Sequence, residues 1–289
     1  MSDTLTFEEF ELLSAIAAGG AACNDDSLLA GLEGKGFVDG AGMTEAGFEA
    51  LEPYRVQRAV VLAAGFGSRM VPVTYDIPKP LVRVNGKRII DSVLGARVEA
   101  GVEEIYIVRG YLADQFDELL EDYPTVEFIE NPGYSEANNI SSIAVAAGHF
   151  NNAYVCEADL VLRNPSLVTP YQYRSNYLGA PVKHTDDWCF ITDSLRITDL
   201  LVGADDCHHM YGISYWTEEE GAHLGEDARA LMAQPGGKQR YWDEVPLREF
   251  VDHYEVYVRE CAIDDVAEID TFEDLQAIDP SYLSYQRRL

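Results

Sequence analysis

Basic side chains are scarce: 21 Lys and Arg face 50 Asp and Glu, a formal charge of −29. That balance excludes a sequence-independent grip on nucleic acid or anionic lipid, since both need basic surface. Long apolar runs are missing too, and none reaches membrane-spanning length. Cysteine is sparse and scattered. Cys23, Cys156, Cys189, Cys207 and Cys261 are odd in number and form no Cys-x-x-Cys pair. Free thiols in a reducing cytoplasm follow, not a disulfide framework. Residues 1 to 12 are acidic and only mildly apolar, unlike a secretory leader, which agrees with a cytoplasmic protein. Cys207-His208-His209 has metal-ligand chemistry but lacks a second cluster at zinc-site spacing, so it reads as loop. Internal repeats and low-complexity tracts are absent.

What is present begins with Val60 to Arg69, V-V-L-A-A-G-F-G-S-R, and with Lys79 between Pro78 and Pro80. An apolar β-branched run ends in two small residues, then Gly65, Gly67, Ser68 and a guanidinium. A strand thus delivers bare backbone and fixed cations to one point. Loop amides and paired cations suit a polyphosphate. The dinucleotide fingerprint needs a glycine where Met70 stands, and a Walker loop needs Ser or Thr where Arg88 follows Gly86-Lys87. Both patterns fail. A protein this acidic that handles phosphate must concentrate its few cations, or recruit metal, at the site.

Residues 1–55 read as a unit of their own. Phe7 to Ala18 has helical periodicity with Phe7, Phe10, Leu13 and Ile16 or Ala17 on one face. A short helix from Ser27, two arms of a β-wing at Gly36–Val38 and Met43-Thr44, and a helix capped by Thr44 follow. The order resembles a winged helix-turn-helix domain. Its charge opposes DNA: eleven acids against Lys35 and Arg55 in residues 1–55. Ala21 to Ala30, where a recognition helix belongs, carries Asp25 and Asp26 and no base. A protein contact or homodimer interface is expected instead.

Residues 56–289 alternate strand and helix: strands at 59–64, 104–109, 126–129 and 153–156, helices at 91–100, 111–121 and 138–147. This rhythm predicts an α/β fold, a mixed, mostly parallel sheet flanked by helices and Rossmann-like in plan. Ligands then bind at the carboxyl ends of the strands. The second half predicts strands at Trp188–Thr192, Met210–Trp216 and Tyr254–Arg259, helices at 218–233 and 244–251, and holds all three tryptophans.

Glu157-Ala158-Asp159 follows a strand, and a strand-end acid on a phosphate rim suits Mg²⁺. Asp270 in Glu268-Ile269-Asp270-Thr271 is the best second acid, although taken alone it reads as a plain helix cap. At this point L-A-A-G-F-G-S-R, P-K-P-L, the strand-end Asp and the late E-I-D resemble the nucleotidyltransferases that activate sugar phosphates and phospho-alcohols. Tyr134 to Ser142, Asp187-Trp188, Gly212 to Trp216 and Tyr241-Trp242-Asp243 resemble the bacterial phosphocholine cytidylyltransferases and the similar 2-aminoethylphosphonate cytidylyltransferases. The resemblance covers residues 57–280.

It implies attack of a phosphate or phosphonate oxygen on the α-phosphorus of CTP, with Mg²⁺ and release of pyrophosphate. By the resemblance Arg69 and the Gly65, Gly67 and Ser68 amides hold the departing phosphates, and Lys79 reaches the α-phosphate. Asp159 and Asp270 hold Mg²⁺, while Leu62, Ala63, Gly110, Tyr111, Asn139 and Ser141 line the base and ribose pocket. A trimethylammonium head prefers aromatic faces and a primary ammonium prefers carboxylates. Trp188, Tyr215 and Trp242 are cage candidates, with Asp187, Asp243 and Glu244 adding charge and Lys183 touching the acceptor's phosphorus group. Phosphocholine and 2-aminoethylphosphonate both stay open. A sugar-1-phosphate nucleotidyltransferase is one rival. A ligand-sensing regulator built on an inactive transferase is another, opposed by the intact Arg69, Lys79, Asp159 and Asp270.

Overall fold

Helix α1 (Phe7–Ala17) starts where Thr6 and Glu9 close a capping box, each side chain accepting the other's backbone N–H at 3.2 and 3.1 Å. The structure, a computed structural model, describes residues 4–20 and 26–285; Cys23 and the 21–25 part of the expected recognition segment lie outside them. The chain divides into two units, Met1–Val56 with Pro170–Tyr173, and Gln57–Thr169 with Arg174–Leu289. In the small unit, α2 (Asp26–Gly34), the antiparallel ribbon β1 (Val38–Asp39) and β2 (Gly42–Met43), and α3 (Glu45–Leu51) follow α1. Thr44 caps α3 by accepting the Gly47 N–H at 3.1 Å. Phe10, Leu13, Leu32, Val38 and Leu51 form its core, joined by Tyr171 from the mid-chain segment. Tyr173 stacks on Tyr54 at 5.2 Å within the same unit.

The large unit opens with β3 (Arg58–Ala63), fully apolar after its first residue and buried along that length. A ribbon of β4 (Arg83–Val84) and β5 (Lys87–Arg88) leads to α4 (Ile89–Glu99), then β6 (Glu104–Arg109) and β7 (Val126–Glu130). Helix α5 (Ile140–Val145) precedes β8 (Ala153–Glu157) and β9 (Leu160–Leu162). The long β10 (Asn176–Asp193) and β11 (Arg196–Trp216), α6 (Glu218–Met232), β12 (Tyr257–Glu260), β13 (Val266–Glu268) and α7 (Phe272–Ile278) complete it. The main sheet has the order β10-β12-β11-β8-β3-β6-β7. Strands β3, β6, β7 and β8 run parallel, and β11 is antiparallel to β8. This is the mixed, mostly parallel sheet that the sequence predicts. From β3 the chain builds outward through β6 and β7, then returns to β8 on the other side of β3. The carboxyl ends of β3 and β8 therefore flank a switch point, where such sheets bind ligands.

Two short strands matter more than their length. Strand β13 pairs antiparallel with β9, with Glu268 opposite Leu160. That pairing draws the late acidic segment beside the loop after β8. The two strands expected at 188–192 and 210–216 are instead parts of one long hairpin. Its turn places Ser194 and Leu195 at φ 50° and 67°, a conformation normally marked by Asn-Gly. Cys207-His208-His209 lies within β11, not in a loop. Among the described residues no group of three or more His, Cys, Asp or Glu side chains could hold a metal, and no helix is long and apolar enough to cross a membrane. Residues 113–121 form 3₁₀ turns and 245–249 one wide turn, where regular helices are expected.

Candidate active site

A cavity of about 700 Å³ opens at the ends of β3 and β8. Its near wall is the glycine loop. Gly67 adopts φ +60°, and a Cβ there would lie 2.9 Å from Lys79 Cβ. Only glycine combines that conformation with so close an approach. Thr74 Oγ1 donates to Gly67 O at 2.8 Å and fixes the loop against the segment that carries Lys79. Lys79 is 7% exposed, and its Nζ donates to Asp159 Oδ2 at 2.8 Å and Asp270 Oδ1 at 3.0 Å. Arg69 Nη2 reaches the same Asp270 oxygen at 2.9 Å. Residues predicted from three distant segments thus meet at one point.

Burial pulls the Lys79 ammonium down, but the Asp159 and Asp270 carboxylates outweigh it and hold the group above the usual lysine value. Two further carboxylates, Glu157 and Glu268, line the cavity. Burial, then the Asp159 charge, pushes Glu157 well above the usual carboxylate range, and burial with Asp159 and Asp270 pushes Glu268 up to about 8. They were not among the predicted residues. The signal was present in the Glu-x-Asp spacing, because alternate residues of an extended chain share a face. Gly212 on β11 makes room for Glu157; a Cβ there would meet Glu157 Oε2 at 2.6 Å.

The far wall carries Asp187, Trp188, Met210, Tyr241 and Asp243. Trp188 and Tyr241 meet edge to face with centroids 5.5 Å apart. Asp243 is buried and accepts the Tyr177 hydroxyl at 2.9 Å. Burial pushes its carboxyl up to about 7, against the opposing hydrogen bond. Leu62, Ala63, Gly65, Ser68, Asn139 and Ser141 also line the cavity. Asn139 bridges the walls: its Nδ2 donates to Glu157 Oε1 at 3.3 Å and its Oδ1 accepts Trp242 N–H at 2.9 Å. Ser141 is largely committed within the protein, donating to Asn138 O and accepting from Asn131.

Several predicted residues lie elsewhere. Trp242 is fully buried and stacks on Tyr177, and its neighbour Tyr241 faces the cavity in its place. Tyr215 packs on Tyr154, and its hydroxyl donates to Asn152. Its position in β11 sends the ring into the interior. Glu244 is buried behind the wall in ion pairs with Arg240 and Arg248. Lys183 is exposed on β10 away from the cavity. Gly110 lies behind Tyr134, whose ring leaves no room for a Cβ. Tyr111 packs on Phe66 and donates its hydroxyl to Thr74 O at 2.9 Å, so it braces the loop from outside. Phe66 and Tyr134 line the cavity in its stead.

The donor set can be tested against Mg²⁺. Asp159 Oδ1 is buried and has no hydrogen-bond partner among the described residues, a costly state for an anionic oxygen. Carboxylates outnumber the two cations of the lining, Arg69 and Lys79. A polyphosphate would meet net repulsion unless a divalent ion entered with it. Two carboxylates plus phosphate oxygens and water match Mg²⁺ preference, so these residues fit the ion.

The raised acids carry a stability consequence. Unfolded carboxylates titrate near pH 4, whereas Asp243 and Glu268 titrate at about 7 and 8 when folded. Across that window the folded state holds protons that the unfolded chain has released, so stability falls as pH rises. Without divalent cation, the melting temperature is expected to drop by a few °C, roughly, from pH 6 to pH 8. A rise over that range would contradict the buried state of these acids.

Comparison with known proteins agrees with the geometry. Residues 59–181 match the model of the MobA-like NTP transferase domain. A 2-aminoethylphosphonate cytidylyltransferase of Lancefieldella rimae is 37% identical over 78% of this chain and 93% of its own. A choline-phosphate cytidylyltransferase of Streptococcus pneumoniae is 29% identical over 77% of this chain and 96% of its own. The solved structure of a CTP:phosphocholine cytidylyltransferase from Streptococcus pneumoniae superimposes with a TM-score of 0.71 at 29% identity, covering 78% of this chain and 99% of that one. With a glycine loop, a lysine between two aspartates and relatives matched over nearly their whole length, the chain belongs to the MobA-like nucleotidyltransferases, in the company of the 2-aminoethylphosphonate and choline-phosphate cytidylyltransferases.

Proposed function

We propose that the chain is a Mg²⁺-dependent cytidylyltransferase that moves CMP from CTP to phosphocholine or 2-aminoethylphosphonate and releases pyrophosphate. The observation that carries this reading is one cavity lined by two chemically distinct sets of groups. Gly65–Ser68, Arg69 and Lys79 suit phosphate, and Asp187, Trp188, Tyr241 and Asp243 suit a cation. A sugar 1-phosphate brings no cationic group to answer the Asp187 and Asp243 carboxylates of the lining.

In this reading an acceptor phosphate or phosphonate oxygen attacks the α-phosphorus. The new P–O bond forms as the bond to the β-phosphate oxygen breaks, and the pyrophosphate leaves with that electron pair. Arg69 and the loop amides meet the charge growing on the leaving group. Lys79 meets the α-phosphoryl oxygens and steers the attacking oxygen, which is catalysis by position and charge. Asp159 and Asp270 would hold Mg²⁺, which would supply Lewis-acid neutralisation of the phosphate oxygens. Asp187, Asp243 and the two rings orient the acceptor's cationic tail.

The test incubates the protein with Mg²⁺ and each nucleoside triphosphate against phosphocholine, 2-aminoethylphosphonate and sugar 1-phosphates, following pyrophosphate. Release is expected with CTP and an amino-alcohol phosphate or aminoalkylphosphonate. Failure with both acceptors, or a clear preference for sugar 1-phosphates, sinks the reading.

A further inference from the structure

Glu244 does not line the cavity, yet it reaches two aromatic rings that do, Trp188 and Tyr241. It is 5% exposed. Its Oε2 accepts the backbone N–H of Tyr241 at 2.9 Å. Its Oε1 accepts from Arg248 Nη1 at 3.0 Å and Arg240 Nη1 at 2.7 Å. Arg248 in turn lies over the Trp188 ring, 5.5 Å from its centroid, and its Nε donates to Leu200 O on β11 at 3.1 Å. One buried carboxylate therefore holds Tyr241 by its main chain and Trp188 through a guanidinium. Those rings come from segments far apart in sequence, and they also meet edge to face.

We propose that Glu244 is a positioning residue for the acceptor's cationic group, setting the angle of the Trp188–Tyr241 pair and neutralising Arg248 behind it. This rests on the cytidylyltransferase reading above. The charge argument is direct: an ammonium that uses the Trp188 ring shares it with Arg248, and like charges repel across so short a distance. Glu244, with Glu249 meeting the other nitrogen of Arg240, cancels that repulsion and leaves the ring free to attract a second cation. A trimethylammonium head has no N–H and depends on the rings, whereas a primary ammonium donates hydrogen bonds to carboxylates such as Asp187 and Asp243. Loosening the rings should therefore penalise the quaternary acceptor more than the primary one.

The experiment compares wild type, Glu244→Gln and Glu244→Ala with saturating CTP and Mg²⁺, using phosphocholine and 2-aminoethylphosphonate as separate acceptors. Glu244→Gln retains an oxygen for the Tyr241 N–H but removes the charge, and it guards against a misfolded alanine variant. For Glu244→Ala, kcat/KM for phosphocholine is expected to fall roughly 3- to 30-fold, the span of one cation–π contact. The fall for 2-aminoethylphosphonate should be smaller, and KM for CTP should stay within about twofold, since Glu244 touches none of the phosphate-binding groups. Glu244→Gln should shift the acceptor ratio in the same direction by less. An unchanged ratio in both variants, or an equal loss for both acceptors with a raised KM for CTP, overturns the proposal and leaves a merely structural glutamate. A wild-type chain that turns over neither acceptor overturns the cytidylyltransferase reading and this proposal with it. An active wild type with an unmoved ratio overturns this proposal alone.

Discussion

Replacing Lys79 with alanine is expected to cut turnover of CTP about 10³-fold or more, the scale of losing a cation that stabilises a phosphoryl-transfer transition state. The lysine is the one cation of the cavity that is buried, and its ammonium sits between Asp159 and Asp270. Arg69 cannot substitute for it, because its side chain is two-thirds exposed and, among the described residues, pairs with Asp270 and not with Asp159. Arginine at position 79 should not rescue turnover either. The stem passes close to Gly67, and a planar guanidinium spreads its charge over a fork that cannot sit as one compact charge where Nζ lies between Asp159 and Asp270. The loss should fall on kcat more than on KM for CTP, since the charge near the α-phosphorus grows towards the transition state. The fold should persist, because Asp270 keeps Arg69 and the cavity is open enough to hydrate Asp159. Steady-state kinetics beside a thermal melt checks both parts. Turnover within about tenfold of wild type in a folded variant would show that the reacting centre lies elsewhere.

Much of this was legible in the sequence where chemistry and local periodicity coincide. The run from Val60 to Arg69 combines a strand period with residues that have no other common use, and the structure places it at the switch point of the sheet. Asp270 was a weaker reading, since an acid just before a helix is usually a cap. The geometry shows Thr271 as the cap, accepting Asp274 N–H, which leaves Asp270 to Lys79 and Arg69. What brings it there is the β9–β13 pairing, a long-range event between short strands that no local pattern announces. The hairpin of β10 and β11 was hidden because its turn residues are Ser194 and Leu195, and because polar residues run unbroken from Lys183 to Asp187 where alternation would mark a strand. In Tyr241-Trp242-Asp243 the choice of ring was a choice of facing, and only packing decides it. Trp242 joins Trp216 and Tyr177 in the core, and Tyr241 is left 43% exposed at the cavity. The small unit shows the same limit. Its helices and ribbon follow local signals, but Tyr171 and Tyr173 enter its aromatic cluster from mid-chain.

Asp159→Asn is expected to lose turnover by about 10²- to 10³-fold and to raise the Mg²⁺ concentration needed for the activity that remains. The side chain has two differently used oxygens. Oδ2 accepts Lys79, while Oδ1 is buried with no partner among the described residues. An amide fits neither arrangement well. With its nitrogen towards Lys79, two donors face each other; with its nitrogen at the other site, a buried N–H has no acceptor. In both cases the negative charge that would hold the metal is gone. Stability should move much less than activity. The Asp159 charge helps to push Glu157 and Glu268 up, so its removal relieves repulsion while Lys79 keeps Asp270. On the proposed reading these acids repel one another until a divalent ion enters, so removing one relaxes the protein as it disables the chemistry. The melting temperature without metal should therefore stay within a few °C of wild type, roughly, and added Mg²⁺ should stabilise the variant less than the wild type. The Mg²⁺ dependence separates this residue from Lys79, whose loss should lower turnover at every Mg²⁺ concentration without moving the half-point upward. A variant that keeps both its turnover and its Mg²⁺ half-point would remove Asp159 from the metal's shell and leave it only as the counter-ion of Lys79.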